Sequence, residues 1–134
     1  MPELTQIEKV VFLQSAHLFA FCKAEQVLRI ASIATERSVE SGVTIIEANQ
    51  PAECLHCIVR GTVELRGPSG VSEALPLQTL DIRDVLTGRL RTVGAVAQTD
   101  TLLLSIDVED FFDLLANDIE IVKALFRQFL SEAK

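Results

Sequence analysis

The chain has 134 residues, 49% of them hydrophobic and 23% charged, with a formal net charge of -7. This length predicts one domain, residues 1–134, with a core large enough to fold without disulfide or metal cross-links. The acidic balance argues against a nucleic-acid-binding surface and against attraction to an anionic membrane, but it allows one anionic ligand in a locally basic pocket. There is no membrane-length apolar run, no signal-peptide pattern and an odd count of three cysteines, so we expect a cytoplasmic domain with reduced thiols.

The N-terminal part of the chain, about residues 3–35, has the apolar spacing of helices. A first helix is predicted from an apolar face of Leu4, Ile7, Val10, Val11 and Gln14. A second helix is predicted from a face of Val27, Ile30, Ala31 and Ala34. The segment between them is apolar without a regular period, which predicts a turn or a 3₁₀ element.

The middle of the chain, about residues 37–106, reads as short strands separated by turns. One strand is expected in 42–51, two in 53–67 with a break at Gly61, one in 72–80 and two in 92–107. Gly67-Pro68-Ser69-Gly70 is a strong turn signal between two of them. These six strands, together with shorter extended segments in the same region, bring the expected number to about eight. The pattern therefore predicts an antiparallel roll or jelly roll.

The C-terminal part, about residues 107–132, is predicted to be helical again. Asp107 is a candidate N-cap of the first helix, and Asn117-Asp118 is expected to end that helix and to cap the next one. The apolar face of the last helix is predicted to be Val122, Leu125, Phe126 and Phe129. Helices, then strands, then helices predict an α+β fold in which helices flank the β-roll at both ends.

Cys54 and Cys57 have the spacing of metal ligands or of a redox pair. In a strand, however, an offset of three directs the two side chains to opposite faces, so we interpret them as core or half-buried cysteines. Hydrolase, kinase and zinc-protease motifs are absent from the sequence. A metal-dependent enzyme of the cupin type is kept as the one alternative among enzymes. It is disfavoured because the two histidines, His17 and His56, are too few to supply its metal ligands. The sequence therefore predicts no enzyme, no metal site and no cofactor.

Residues 80–95, LDIRDVLTGRLRTVGA, interrupt the strands with one or two turns of helix and then supply three arginines, Arg83, Arg89 and Arg91. A guanidinium presents planar donors to phosphate oxygens, and a helix start offers free backbone N–H groups to an anion. This segment is therefore the candidate site for a phosphate-bearing ligand. The alternative is that Arg91 is structural and pairs with a carboxylate such as Asp81 or Asp84.

The chain resembles the cyclic nucleotide-binding domains of the catabolite activator protein and of the protein kinase A regulatory subunit. The resemblance covers nearly the whole chain and is carried by SGVTIIEANQPAECLHCIVRGTVEL and AQTDTLLLSIDVEDFFDLL. Within the first segment the matching positions are Gly42, Ile45, Leu55, Ile58 and Gly61.

The resemblance places residues 80–95 on the family's phosphate-binding cassette, where Leu86 and Gly88 also match. It implies that Arg91 stands where the family's arginine pairs with the cyclic phosphate, and that Thr92 stands at the small or hydroxylic position beside it. The remaining candidate ligand-binding positions that the resemblance implies are Leu80, Asp81, Ile82 and Val93.

Two of these positions depart from the family pattern. Asp81 replaces a glycine and adds bulk and negative charge near the expected phosphate. Ile82 replaces the glutamate that holds the ribose 2′-hydroxyl, and an isoleucine cannot accept that hydrogen bond. Val93 and Gly94 replace the usual Ala and Thr, and Asn49-Gln50 replaces a Gly-Asp turn.

Two functions therefore stay open. The first is a regulatory or interaction module with a degenerate cassette, which binds neither cyclic AMP nor cyclic GMP tightly. The second is a true ligand sensor in which Arg91 and Thr92 hold a phosphate and ligand binding moves the C-terminal helix. The tail also resembles cyclic nucleotide-binding-like domains of membrane carriers related to ATP/ADP translocases. This implies that the partners are other domains of a longer parent protein, such as a membrane carrier. The large side chains Phe126 and Phe129 leave two roles open for the last helix, contact with a homodimer mate or packing against the roll.

Overall fold

A computed structural model describes residues 4–80, 82–91 and 93–132. The helices are α1 (Gln6–Ser15), α2 (Ala24–Ser32), α3 (Ile82–Thr87), α4 (Val108–Asn117) and α5 (Ile119–Glu132), with a 3₁₀ turn at His17–Phe19. The strands are β1 (Ala34–Val39), β2 (Thr44–Ile46), β3 (Cys54–Arg60), β4 (Val63–Gly67), β5 (Gly70–Ala74), β6 (Thr79–Leu80), β7 (Gly94–Ala97) and β8 (Thr101–Asp107). The order of helices, eight strands and helices confirms the predicted α+β class.

The strands form two four-stranded antiparallel sheets. The first has the order β1-β8-β3-β6 and the second the order β2-β7-β4-β5. Helix α3 lies between β6 of one sheet and β7 of the other, so the chain passes through the cassette segment as it changes sheets. This connection is the helical interruption that the sequence predicts.

Two apolar cores share the first sheet, because successive side chains of a strand point to opposite faces. The inner core lies inside the roll and includes Val39, Ile46, Ile58, Val63, Leu80 and Leu103. The outer core joins the other face of that sheet to the helices and includes Leu13, Phe19, Val27, Leu104, Phe111 and Ile121. The helices therefore cover one face of a sheet whose other face lines the roll.

Side-chain caps define the helix ends. At α1, Thr5 and Glu8 form a capping box, with the Glu8 amide donating to Thr5 Oγ1 over 3.1 Å and the Thr5 amide donating to Glu8 Oε1 over 2.9 Å. Asp107 caps α4 as predicted, because its Oδ1 accepts from the amides of the second and third residues of the helix. Asp118 caps α5, also as predicted, and pairs with Arg29 of α2. This carboxylate thereby fixes the bend between α4 and α5 against α2.

Gly61 marks the predicted break between β3 and β4, and its backbone has φ +96°. A Cβ atom built there would lie 2.6 Å from the Asp100 carbonyl oxygen and 2.9 Å from the Thr101 Cα. Only glycine allows the β3–β4 turn to approach the β7–β8 turn this closely. Asn49 also has a positive φ, +69°, a conformation that asparagine tolerates better than most residues. It therefore fits a turn in which the family uses glycine.

The boundary between α2 and the roll was predicted too late in the chain. Ala34 was expected on the second helix, but it begins β1 and pairs with Ile106 of β8. Ala34 is buried in the outer core in either conformation, so its apolar spacing does not distinguish a helix from a strand. The second helix also begins earlier than expected, at Ala24, within the stretch taken as irregular; the 3₁₀ turn at His17–Phe19 agrees with the prediction.

Two predicted apolar faces are partly wrong. Ile7 and Val11 of α1 are exposed, Ile7 by 76%, while Leu13 is the buried residue of that helix. In α5 the buried face is Ile121, Ala124, Leu125 and Gln128. Phe126, which was expected on the core face, is exposed by 62%. Both helices are apolar on more than one face, so periodicity does not identify the face that packs.

Residues 72–80 were predicted as one strand, but they contain parts of two strands in different sheets. β5 ends at Ala74, a turn follows, and β6 begins at Thr79. Leu77 in the turn has φ +75°, and its amide donates to the Ile58 carbonyl over 2.9 Å. This backbone contact to β3 replaces the continuous strand.

Across the described ranges, no helix combines the length and the apolar character that crossing a bilayer requires.

Candidate functional site

A pocket of about 310 Å³ opens beside α3, between the two sheets. Its size is at the lower end of the range of about 300–1,000 Å³ that is usual for small-molecule sites. The described residues that line it are Ile46, Leu65, Thr79, Leu80, Ile82, Arg83, Asp84, Val93 and Ala95. Strands β2, β4, β6 and β7 supply the walls, and α3 supplies the rim.

Three of the sequence-predicted site residues line this pocket: Leu80, Ile82 and Val93. Leu80 is buried and pairs with His56 across the β3–β6 ladder, whereas Ile82 and Val93 are half-buried. Asp81 and Thr92 lie outside the described residues. The structure therefore brings Leu80 and Ile82 together with Val93, which follows Ile82 by eleven residues in sequence.

Most of the described lining is apolar, with six aliphatic side chains. The polar side chains are Thr79 of β6 and the neighbouring residues Arg83 and Asp84 of α3. Arg83 is exposed and Asp84 half-buried, so the charges stand at the mouth. Because α3 has only six residues, it adds little of a helix dipole to the site.

Arg91, which follows α3 within residues 80–95, is held by backbone contacts to the β2–β3 turn. Its amide donates to the Gln50 carbonyl over 3.0 Å, and its carbonyl accepts from the Asn49 amide over 2.6 Å. The preceding residue, Leu90, forms a β-bridge with Pro51. Arg91 is 7% exposed, and it is not among the described residues that line the pocket.

The charge of Arg91 acts on the inner face of β3. His56 is buried there, and its Nδ1 lies 2.7 Å from Ser105 Oγ on β8. Burial, followed by the positive charges of Arg37 and Arg91, lowers the pKa of His56 to about 4. His56 is therefore neutral at pH 7 and adds no positive charge to those of Arg37 and Arg91.

Arg91 takes part in a further interaction besides its backbone contacts to Asn49 and Gln50, so it is not a free cation. Its Nε atom is enclosed. Asp84, one proposed carboxylate partner, lies on the pocket wall, and Asp81, the other, is outside the described residues. The structural interpretation of Arg91 thus stays a prediction beside the ligand-binding one.

The cysteine pair confirms the interpretation as core or half-buried residues. Cys57 is buried in the outer core, and burial raises its pKa to about 12. Cys54, three residues earlier on β3, is half-buried; its pKa is raised by burial and by the nearby carboxylates of Asp107 and Glu53, against the opposing charges of Arg37 and Arg91. Within residues 4–80, 82–91 and 93–132, no cluster of three His, Cys, Asp or Glu side chains could hold a metal ion.

Sequence reasoning did not assign Ile46, Leu65 and Ala95 to the site. They converge because they lie on the inward faces of three adjacent strands of the second sheet. The alternation of Leu65 with charged neighbours did indicate an inward position, but it could not show which cavity the side chain would meet.

An antiparallel roll with flanking helices and a short helix at the rim of a pocket defines the architecture of a β-roll domain. The comparison with protein families is specific: the model of the cyclic nucleotide-binding domain matches residues 36–118, so the chain belongs to the cyclic nucleotide-binding domain family. Domains of this family are regulatory modules. No curated protein sequence matches the chain significantly.

Solved structures share the fold. A protein described as cyclic nucleotide-binding, from Ruegeria pomeroyi DSS-3, is 20% identical with a TM-score of 0.82 over 97% of this chain, which spans 60% of that protein. The N-terminal domain of a transcriptional regulator from Streptomyces coelicolor A3(2) is 23% identical with a TM-score of 0.79, covering 91% of each chain. The regulatory subunit of a cAMP-independent protein kinase A from Trypanosoma brucei is 19% identical with a TM-score of 0.76, covering 96% of this chain and 52% of that one. At these identities the likeness establishes the fold alone.

Proposed function

We propose that this domain is a non-enzymatic regulatory or interaction module whose cassette does not support tight binding of cyclic AMP or cyclic GMP. The observation that carries this proposal is the position of Ile82 on the pocket wall. By resemblance, Ile82 occupies the position of the glutamate that binds the ribose. A buried ribose hydroxyl facing an aliphatic side chain would remain unpaired, which commonly costs about 1–3 kcal/mol.

The rest of the lining supports the same proposal. Six of the described lining side chains are aliphatic, whereas a cyclic nucleotide presents a charged phosphate and a polar sugar. Arg91, which by resemblance would pair with the phosphate, is not among those lining residues and is already engaged. At the mouth of the pocket, the carboxylate of Asp84 offsets the attraction that its neighbour Arg83 would exert on an anion. The Trypanosoma brucei relative carries the same fold and is described as cAMP-independent.

The alternative is a sensor in which Arg91 and Thr92 hold a phosphate. The burial of Arg91 favours this alternative, because a guanidinium in a poorly solvated position attracts an anion more strongly than an exposed one. Coupling to the C-terminal helix has a structural route. Arg83 lines both the pocket and a second depression that Phe129 and Glu132 of α5 also line. Movement of α3 on ligand binding would therefore be felt by the last turns of α5.

Thermal unfolding with saturating cyclic AMP or cyclic GMP separates the two functions. A ligand at a hundred times its dissociation constant stabilises by about 2.7 kcal/mol, a rise of several degrees at roughly 2–8 °C per kcal/mol. The proposal predicts no rise with either nucleotide. A rise that disappears in Arg91→Ala but persists in Arg89→Ala, an exposed arginine of the same segment, would establish the sensor instead.

The terminal helices are the proposed contact surface with a partner. On α5, Ile119, Phe126 and Leu130 are exposed, and large exposed apolar side chains in a row on one helix indicate an interface. The proposed occupants are another domain of a longer parent protein or a second copy of the chain. A cytoplasmic location, and attachment to a membrane carrier of the ATP/ADP translocase type, belong to the same proposal.

A further inference from the structure

The net charge of the chain is concentrated in one short segment. Residues 107–120 contain six acidic and no basic side chains, whereas the rest of the sequence contains thirteen acidic and twelve basic ones. This segment comprises the end of β8, all of α4, the bend at Asp118 and the start of α5. The negative potential of the molecule therefore originates mainly from α4 and its bend.

Part of this charge stabilises the helices. Asp107 and Asp118 accept hydrogen bonds at the two N-termini, and Asp118 is also paired with Arg29. Acidic residues in the first turn of α4 interact favourably with the helix dipole. Asp113 is different, because it lies in the second half of α4, is exposed, and gains nothing from the dipole there. Helix stability alone does not explain the acidic surface.

Two large apolar side chains are exposed within the same segment. Phe112 of α4 is 40% exposed, and Ile119, the first residue of α5, is 63% exposed. On α4, Glu109 precedes Phe112 by three residues and Asp113 by four, so its side chain is a neighbour of each of them on the helix surface. Glu120 follows Ile119 and is also exposed. We call these five residues the acidic elbow.

We infer that the acidic elbow is the docking surface for a basic amphipathic helix of a protein partner. The exposed Phe112 and Ile119 would serve as apolar anchors, and lysine or arginine side chains of the partner would pair with Glu109 and Asp113, whereas Glu120 is already paired with Lys123 of α5 over 3.3 Å. The charge indicates the class of partner, because residues 107–120 keep a net negative charge even with the pairs Lys123–Glu120 and Arg29–Asp118, and this charge repels an anionic membrane or a nucleic acid. This inference deepens the proposed role as an interaction module by naming a surface and the partner it fits.

The test uses the full chain and an 18-residue synthetic peptide of leucine and lysine with helical amphipathic spacing. The control peptide has the same composition in an order that forms no amphipathic helix. Backbone amide NMR locates the binding surface, and titration gives the affinity at low and high salt. We expect the largest shift changes within residues 107–120, weaker binding of the control peptide, and an affinity that falls as salt rises.

Variants test whether peptide binding depends on the acidic elbow or only on the negative charge of the whole chain. Phe112→Ala and Asp113→Lys should each weaken peptide binding by about tenfold or more, a change of about 1.4 kcal/mol. Val71→Ala and Glu73→Lys, at exposed positions of β5, should leave it unchanged. Thermal unfolding of each variant checks the fold, and Asp113→Lys removes no packed side chain.

The inference is overturned if the peptide does not bind, if the control peptide binds equally well, or if the shift changes lie outside the elbow. The inference is also overturned if the variants of the acidic elbow and the variants of β5 bind the peptide with equal affinity. Sedimentation of the chain alone tests a second copy as the occupant: self-association that Asp113→Lys abolishes would assign the elbow to a homodimer contact instead. None of these results depends on nucleotide binding, so this test and the nucleotide test fail independently.

Discussion

The imidazole of His56 and the hydroxyl of Ser105 lie 2.7 Å apart on neighbouring strands, inside the roll and next to the cassette. The pair is polar within a mostly apolar interior, and the positive charges of Arg37 and Arg91 act on it. Protonating His56 would add a third positive charge to this region. Burial and these two charges therefore favour the neutral imidazole.

The first prediction is that stability falls in acid because of His56. Its pKa is lowered from the ordinary value of 6.5 to about 4 in the folded chain, so the unfolded chain binds the proton more tightly. The stabilising contribution is present above about pH 6.5 and is lost as the pH falls towards 4. At 1.36 kcal/mol per pH unit this amounts to about 3 kcal/mol. Urea unfolding between pH 7 and pH 4 should show a smaller pH dependence in His56→Asn than in the original chain.

His17→Gln, at an exposed position, is the matched control and should keep the pH dependence of the original chain. An identical pH profile for the original chain and His56→Asn would show that His56 does not contribute.

The second prediction concerns the bend between α4 and α5. Asp118→Ala removes both the cap of α5 and the ion pair with Arg29, and we expect a loss of about 1–2 kcal/mol in the free energy of unfolding. Arg29→Met removes only the ion pair, and since Arg29 is mostly exposed we expect less than about 1 kcal/mol. Denaturant unfolding measures both, and a larger loss in Arg29→Met would contradict the assignment of the cap as the main contribution.

The third prediction separates backbone strain from steric conflict at two glycines. Gly61 and Gly42 have similar φ values of +96° and +91°, but only at Gly61 would a Cβ meet other atoms, the nearest at 2.6 Å. Gly42→Ala should cost about 1–2 kcal/mol from the left-handed backbone alone. Gly61→Ala should cost clearly more, because the β3–β4 and β7–β8 turns would have to separate. Comparable unfolding free energies for the two variants would refute the close approach.

The fourth prediction tests the reason given for a degenerate cassette. If Ile82 prevents nucleotide binding, then Ile82→Glu combined with Asp81→Gly should restore measurable binding of cyclic AMP by calorimetry. Leu86→Glu, which places the same charge at an exposed position of α3, is the control and should not restore binding. Failure of the double variant, in a chain that remains folded, would mean that the position of Arg91 excludes the nucleotide as well.

The predicted elements depended on local signals, and these were mostly sufficient. Asp107 and Asp118 cap helices because a carboxylate satisfies free amides within three residues, a contact that needs no distant part of the chain. Gly61 ends β3 because of a backbone conformation that other residues avoid. Resemblance to the family then predicted that residues 80–95 form the phosphate-binding cassette.

The sequence-based predictions were wrong where a residue can be accommodated in two different structural environments. Ala34 is equally buried at the end of a helix or at the start of a strand, and α1 and α5 have apolar residues on several faces. Which face packs depends on the helix or sheet that covers it. Ile7 and Val11 were expected to be buried, but the outer core instead takes Leu13.

By itself the sequence determined the fold class, the caps at Asp107 and Asp118, the break at Gly61 and the two changed positions of the cassette, because each depends on local backbone preferences or on a match residue by residue. The tertiary structure alone decided that Ile46, Leu65 and Ala95 join Ile82 around one pocket, that Arg91 is enclosed beside β3, and that Phe112 and Ile119 stay exposed in an acidic setting. These features depend on which surfaces of distant segments cover one another. Packing of the whole chain determines that, and no single segment encodes it.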